Sequence, residues 1–373
     1  MAVKLPQDKK GMSVIETIDG IQNAAGAGVQ IHKKVLSPAS SPLKPKGPFY
    51  ADESNDSRII AWHKPHSDQF ALSCYYSGDL SVSGIGHLWL GDRLLIEPEL
   101  MPPYWRRLVF ENPKSNPVEE AKLPIREIEE TCICAVGWGF DIYGHFIIEM
   151  LPRILTALKL SKADGKNPKI LLRSDSAPWL KQIIRTFVTS EGDSIIFFDP
   201  KRERVILKNG IYPTYPYFGN GFHPMTKDLM DSIPNIPSHV GGKSGHYYIS
   251  RSLVPEVKGR RMCSNEPDLI EIAKNEFGVE AVSPETMSWP EQIKLFRSAK
   301  SITGLSGSAL HTSIFADHDL TIGCVGLVNA VQTHISGLRQ QDMAYQTAGF
   351  DLGKSYTVPT DNFRKMIDRI VNR

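Results

Sequence analysis

Apolar and polar positions along this chain recur with two periods, and the changes between them mark its elements. From about Ser57 to Ile96 the β-prone runs IIAWH, FALSCYY and HLWLGDRLLIEP, broken by turn chemistry such as SGD at 77–79, predict short strands. Beyond residue 130 strands and helices alternate. The run TCICAVG (131–137) reads as a strand, and a helix follows up to Leu160. PKILLRS (168–174), SIIFFD (194–199) and RVILKNG (204–210) read as strands, with a helix over PWLKQIIRTFV (178–188). The aromatic, Gly- and Pro-rich stretch 211–224 predicts a long loop, and the Pro- and Ser-rich stretch 37–48 an extended linker.

A second Pro/Gly-rich stretch, 233–245, predicts a domain boundary, after which the same grammar restarts. Strands are expected at 246–252, 279–283, 300–304 and 320–326. Between them fall a helix capped by Ser264 and running to about Phe277, a helix opened by the capping box Ser288/Glu291, and a helix over 307–316. A last helix from about Thr360 to Val371 carries an apolar stripe of Phe363, Met366, Ile367 and Ile370. Repeats of this length describe a doubly wound parallel sheet. The expected division is a weakly structured segment 1–50, an α/β domain 51–235, a Rossmann-like domain 245–355 and a C-terminal helix 358–373.

The chain has 373 residues, 41% apolar and 23% charged, with net charge +2, which suits a soluble globular protein and carries no electrostatic footprint for nucleic acid. The N-terminal twenty residues lack a signal-peptide apolar region, and no apolar run reaches a membrane span. Five scattered cysteines without zinc-site spacing read as reduced thiols, so a cytoplasmic location is expected.

The helix after residue 140 is apolar nearly all round through Phe146, Ile147, Ile148, Met150, Leu151, Ile154 and Leu155, yet it places His145, Glu149 and Arg153 at i, i+4 and i+8. Buried ionisable groups are costly unless paired or used. His145 beside Glu149 is a workable general base, Glu149 is itself a candidate base, and Asp141 is a third. A Glu149–Arg153 ion pair is the alternative for the same spacing. In the second half the strand ending at Gly304 leads into a turn with Gly307, where backbone N–H groups and the hydroxyls of Ser306 and Ser308 suit an anion; a plain tight turn reads equally well. Arg251 follows a strand and suits a diphosphate. Asn265 and Glu266 open a helix, and Glu285 sits in a strand-to-helix loop; both carboxylates suit sugar hydroxyls. The neighbouring Arg260 and Arg261 also read as a solvated pair. Asp317 and Asp319 form a D-x-D triplet, read as a surface turn before a metal site. No G-x-G-x-x-G follows a strand, which argues against a dinucleotide cofactor.

The strings YGHFIIEMLPRI, YISRS, NEPDLIE and SPETMSWPEQIKLFRSAKSITGLSGSAL, in that order over roughly residues 130–330, resemble glycosyltransferase family 61. That family includes bacterial capsule and exopolysaccharide enzymes, plant xylan arabinosyl- and xylosyltransferases and animal protein O-GlcNAc transferases. The resemblance implies a GT-B architecture of two Rossmann-like domains facing a cleft. It implies transfer of a sugar from a nucleotide-sugar donor to a saccharide or lipid-linked saccharide acceptor, with inversion. Family motifs fall on His145, Phe146, Glu149, Leu151, Pro152 and Arg153, and on Arg261, Ser264, Asn265 and Glu266, with Arg251 upstream. The expected site is thus His145, Glu149 and Asp141 for catalysis, and Arg153, Arg251, Asn265, Glu266, Glu285, Gly304, Ser306, Gly307 and Ser308 for substrates. GT-B enzymes often use helix dipoles and basic residues at the leaving diphosphate, so no metal or other cofactor is expected. Peripheral association with a polysaccharide assembly complex is the expected partnership. Where the family commonly has G-x-H-G-A-x-L-x-N, this chain has Ser306 for the His and Thr312 for the Asn. The second reading is therefore a catalytically weakened sugar-nucleotide-binding or scaffold protein.

Overall fold

The computed structural model describes Val14–Ile15, Ile18 and residues 29–52, 56–66, 68–102, 116–188, 194–217, 219–234, 236, 242–253, 262–348 and 355–373. The chain forms two compact units, Met1–Ala39 with Phe70–Phe218, and Ser40–Gln69 with Gly219–Arg373. Among the described residues the first strands are β1 (Val14–Ile15), β2 (His32–Ser40), β3 (Tyr50–Ala51), β4 (Phe70–Ser77), β5 (Leu80–Ser83), β6 (His87–Leu90), β7 (Arg93–Leu95) and β8 (Ile125–Ile133). They are followed by β9 (Lys169–Arg173), β10 (Ile195–Phe198), β11 (Arg204–Pro213), β12 (His246–Ile249), β13 (Glu280–Val282), β14 (Ser301–Leu305), β15 (Thr321–Gly326) and β16 (Asp342–Thr347).

The first unit is built on a mixed sheet in the order β1-β7-β6-β5-β11-β8-β9-β10, with β4 also on β11 and β2 beside β4. Its two halves differ because their connections differ. The tight turns after β5 and β6, at Gly84–Gly86 and Gly91, take positive φ and join antiparallel neighbours. The helices between β8, β9 and β10 are long enough for crossovers, and these strands run parallel to each other and to β11. Leu80, Val82, Leu88, Cys132, Cys134, Leu171, Val205 and Tyr212 close its core. The loop expected over 211–224 begins later than its composition suggests, because β11 continues to Pro213 by pairing with Cys74 in β4.

One expected strand is a helix. IIAWH lies in the Asp56–Trp62 helix of the second unit, with Ile59 buried and Ile60 47% exposed. Two adjacent isoleucines are no alternation, and a helix lets one face the core while the other faces water.

The second unit holds a six-stranded sheet in the order β13-β12-β14-β15-β16-β3, parallel throughout. Alternate side chains serve opposite faces. Tyr248, Val325 and Ala344 pack with Leu269, Ile272, Phe363, Met366 and Ile367, whereas Ile249, Ile322, Cys324, Met343 and Tyr345 pack with Ile59, Phe296 and Leu310. Helices therefore cover both faces, and the Thr360–Val371 stripe is buried as its spacing predicts. The Ser288/Glu291 capping box forms, with the Ser288 N–H donating to Glu291 Oε2 at 2.7 Å. The Ser264 cap does not. The helix starts at Glu266, while the Ser264 N–H and hydroxyl both donate to the carbonyl of Tyr356. The helix expected over 307–316 is a 3₁₀ segment, Leu310–Phe315.

One face of this sheet buries histidines. His63 Nε2 meets Tyr345 Oη at 3.1 Å, and His66 stands edge-on to His334 with ring centres 5.8 Å apart. Burial, reinforced by His66 and His63, depresses His334 to about 3. An unfolded imidazole titrates near ~6.5, so below that pH the unfolded chain binds the extra proton. The stability contributed by neutral His334 is complete above ~6.5 and is lost as pH falls toward its folded value. The melting temperature should drop between pH 7.5 and pH 5, and His334→Gln should flatten that slope. An unchanged slope in the variant would reject this source.

Candidate active site

The helix that carries His145 and Glu149 is not one regular helix. Tyr143–His145 leads into a π turn, Phe146–Met150, and then into Leu151–Ala163. The wide turn closes on a bond from the Leu151 N–H to the Phe146 carbonyl. Pro152 explains it, since proline inside a helix has no N–H and its ring clashes with the carbonyl four residues back. Single π turns of this kind are frequent at functional sites.

Across the π turn His145 and Glu149 still meet, Nδ1 to Oε1 at 3.5 Å, with side-chain exposures of 26% and 1%. The pair is thus a buried carboxylate behind an imidazole that reaches solvent. Its surroundings are built to fit. Gly139 has φ +78°, and a Cβ there would lie 2.9 Å from that of His145. Trp138 stands edge-on to the imidazole at 5.4 Å. The buried phenols of Tyr215 and Tyr217 are raised above the usual range, first by burial and in part by the negative charge of Glu149, with the Arg153 charge opposing this at Tyr215. These tyrosines come from the aromatic stretch 211–224, whose composition marks a loop without assigning its rings to a site.

Arg153 does not extend this pair into a ladder. It is 2% exposed, donates to the carbonyls of Pro213 at 2.9 Å and Ala135 at 3.0 Å, and lies over the Tyr215 ring at 4.2 Å. Its observed work is to tie the helix to the ends of β8 and β11. Asp141 also has structural partners, Arg173 at 3.5 Å and the N–H of Ala177 at 3.3 Å, where the Pro178–Ile183 helix begins.

In the second unit most of the expected residues gather at one edge of the sheet. β13 and β14 lie on opposite sides of β12, so the strand order reverses between β12 and β14. Ligands of open parallel sheets bind outside the carboxyl ends of the strands at such a switch point. Arg251 follows β12 there, and its Nη1 would lie 3.5 Å from a Cβ on Gly307, in the turn after β14. Gly304 sits beneath, where a Cβ would come within 3.0 Å of the Ile249 carbonyl. The Arg251 N–H donates to Glu266 Oε1 at 2.9 Å. Burial raises the Glu266 carboxyl; the Arg251 N–H and charge oppose this, and the charge of the exposed Glu285 adds to it. The arrangement offers an anion-binding guanidinium, with Glu266 held by the backbone of the same residue, and carboxylates that can accept from hydroxyls.

Two expected site residues, Ser306 and Asn265, have other partners. Ser306 donates its N–H to the Val325 carbonyl, and its hydroxyl lies against the buried Cys324 thiol. Asn265 binds the backbone of Val358 twice, Nδ2 to O at 2.9 Å and Oδ1 from N at 3.0 Å. Asp319 pairs with Lys243 at 2.8 Å, which fits a surface turn. Arg260 and Arg261 lie outside the described residues. Among the described residues no three His, Cys, Asp or Glu side chains are placed to hold a metal ion, and no helix is long and apolar enough to cross a membrane. All five cysteines are free and buried, and Cys74, for example, is pushed up to about 12 by burial.

No curated protein matches the chain. A family model described as Glycosyltransferase 61 matches residues 143–323, from the first residue of the His145 helix into β15. The match takes in both the His145–Glu149 pair and the Arg251–Gly307 edge, and a glycosyltransferase family 61 domain over these residues supports a transferase enzyme.

Proposed function

We propose that the protein is an inverting GT-B glycosyltransferase that moves a sugar from a nucleotide-sugar donor to a saccharide or lipid-linked saccharide acceptor. In this reading residues 51–235 serve the acceptor and 245–355 the donor. The work is capsule or exopolysaccharide assembly, carried out in the cytoplasm in peripheral association with an assembly complex. The observation that carries the donor half is Arg251 beside Gly307 at the switch point of the parallel sheet.

Inversion is a single in-line displacement. The acceptor oxygen bonds to the anomeric carbon as the bond from that carbon to the donor diphosphate breaks. The acceptor proton passes to the His145–Glu149 pair, where the carboxylate buried behind the imidazole stabilises the imidazolium that forms. Charge developing on the departing diphosphate meets Arg251 and the turn from Gly304 to Ser308. Glu266 and Glu285 accept from hydroxyls of the nucleoside. In this reading Arg153 and Asn265 support substrate binding through the backbone they hold, and Asp141 by fixing the approach to the helix.

A thermal-shift screen against UDP-, GDP-, CMP- and dTDP-sugars tests the donor half. A ligand at 100 times its Kd should add about 2.7 kcal/mol of stability. Arg251→Ala should abolish that shift; a screen in which no nucleotide sugar moves the melting point would overturn the reading. Activity should also survive EDTA in full, whereas loss restored by Mn²⁺ would assign the diphosphate to a metal. The competing scaffold reading rests on Ser306 and Thr312 standing where the family commonly has His and Asn, and it predicts binding without turnover.

A further inference from the structure

The C-terminal segment 355–358 crosses the same carboxyl edge of the second unit's sheet. It is held there by short-range pairing with residues far away in sequence. The Tyr356 N–H donates to the Met262 carbonyl at 2.9 Å, and the Tyr356 carbonyl accepts from Ser264 N at 2.8 Å. Asn265 clamps Val358 through both ends of its amide. The helix that begins at Glu266 therefore starts against this strap, and Tyr356 is carried to the end of β15.

The position of the ring is reserved. Gly326, the last residue of β15, has φ +87°, and a Cβ there would lie 2.5 Å from Tyr356 Oη. A side chain at 326 would be both strained and in collision with the phenol. Burial holds the phenol well above its usual range; the charge of Arg251 opposes this and that of Glu266 adds to it. The residue is partly exposed and packs at the margin of the core cluster of Tyr248, Leu269 and Val358.

We propose that Tyr356 is a donor-binding residue, its ring forming the wall on which the base of the nucleotide stacks, and that Asn265 is a positioning residue that holds the strap bearing it. This rests on the donor reading of the Arg251–Gly307 edge. It also gives Asn265, whose amide is occupied by Val358, an indirect part in binding. An aromatic ring on the same carboxyl edge as a guanidinium suits a nucleoside diphosphate: the ring takes the base and Arg251 the phosphates.

The test measures binding of UDP, GDP, CDP and dTDP by titration calorimetry, then of the tightest binder and of inorganic pyrophosphate to variants. Arg251→Ala should weaken both ligands. Tyr356→Ala and Tyr356→Leu should weaken the nucleoside diphosphate by about tenfold or more, as loss of one base–aromatic stack does, and leave pyrophosphate unchanged. Leucine fills the space over Gly326 and so controls for collapse of the strap, while Tyr356→Phe, which keeps the ring, should bind within about threefold of wild type. If Arg251→Ala weakens binding but neither Tyr356→Ala nor Tyr356→Leu does, the assignment of Tyr356 is wrong and the donor edge stands. If the wild type binds none of the four nucleotides, the donor reading fails and takes this proposal with it.

Discussion

Glu149→Gln should lower kcat by roughly 10²- to 10⁴-fold, the usual contribution of a positioned acid–base group, while the protein stays folded. The side chain is 1% exposed and packed behind His145, so glutamine fills the same volume. What the change removes is the negative charge that would stabilise a protonated imidazole. His145→Asn should give a loss of the same order, and the double variant should be little worse than either single one, because residues that act as a unit are not additive. The measurement is release of nucleoside diphosphate under saturating donor and acceptor, with circular dichroism to confirm folding. A kcat within about twofold of wild type in Glu149→Gln would move the base elsewhere and leave the pair a structural one.

Asp231→Ala should destabilise the second unit by about 1–3 kcal/mol, because it strips a solvent-reaching partner from a buried guanidinium. Asp231 ends the Met225–Asp231 helix and pairs with Arg339 at 2.8 Å, whose side chain is fully buried and also donates to the Ile314 carbonyl. Without the carboxylate a buried guanidinium remains with an unmatched charge, which costs far more than a missing surface pair. Burial pushes the Asp231 carboxyl up, but Arg339 and Lys227 pull it below the usual range. The pair's stability is therefore present above ~3.9 and is lost as pH falls through the lowered folded value. Urea denaturation followed in the second unit would read the loss. Adding Arg339→Met to Asp231→Ala should recover much of it, since an apolar side chain of similar volume leaves no buried charge to match. A double variant as weak as Asp231→Ala would contradict that account.

Much of the site was legible because it depends on neighbours along the chain. The i, i+4 spacing of His145 and Glu149 brought them together even through a π turn. The strand–turn–helix grammar around Arg251, Glu266, Glu285 and Gly307 placed them at one sheet edge, since every strand of that sheet runs the same way. Other signals misled. The apolar pattern reads as one helix up to Leu160 and gives no sign of the π turn at Phe146–Met150. Ser264 is a sound N-cap type, yet its hydroxyl found the carbonyl of Tyr356, 92 residues away. Asn265 looked like a ligand contact and binds Val358, 93 residues away.

Periodicity and turn chemistry by themselves determined the α/β class, most strands and helices, and which residues stand at the carboxyl ends of the strands. They could do so because these follow from the 3.6- and 2-residue repeats and from connection length. Only the tertiary structure decided that Arg153 is held by Pro213 and Ala135, that it lies over the Tyr215 ring, and that Tyr356 lies over Gly326. A buried donor or acceptor takes whichever partner folding brings within about 3 Å, and no local pattern names a partner that lies far away in sequence.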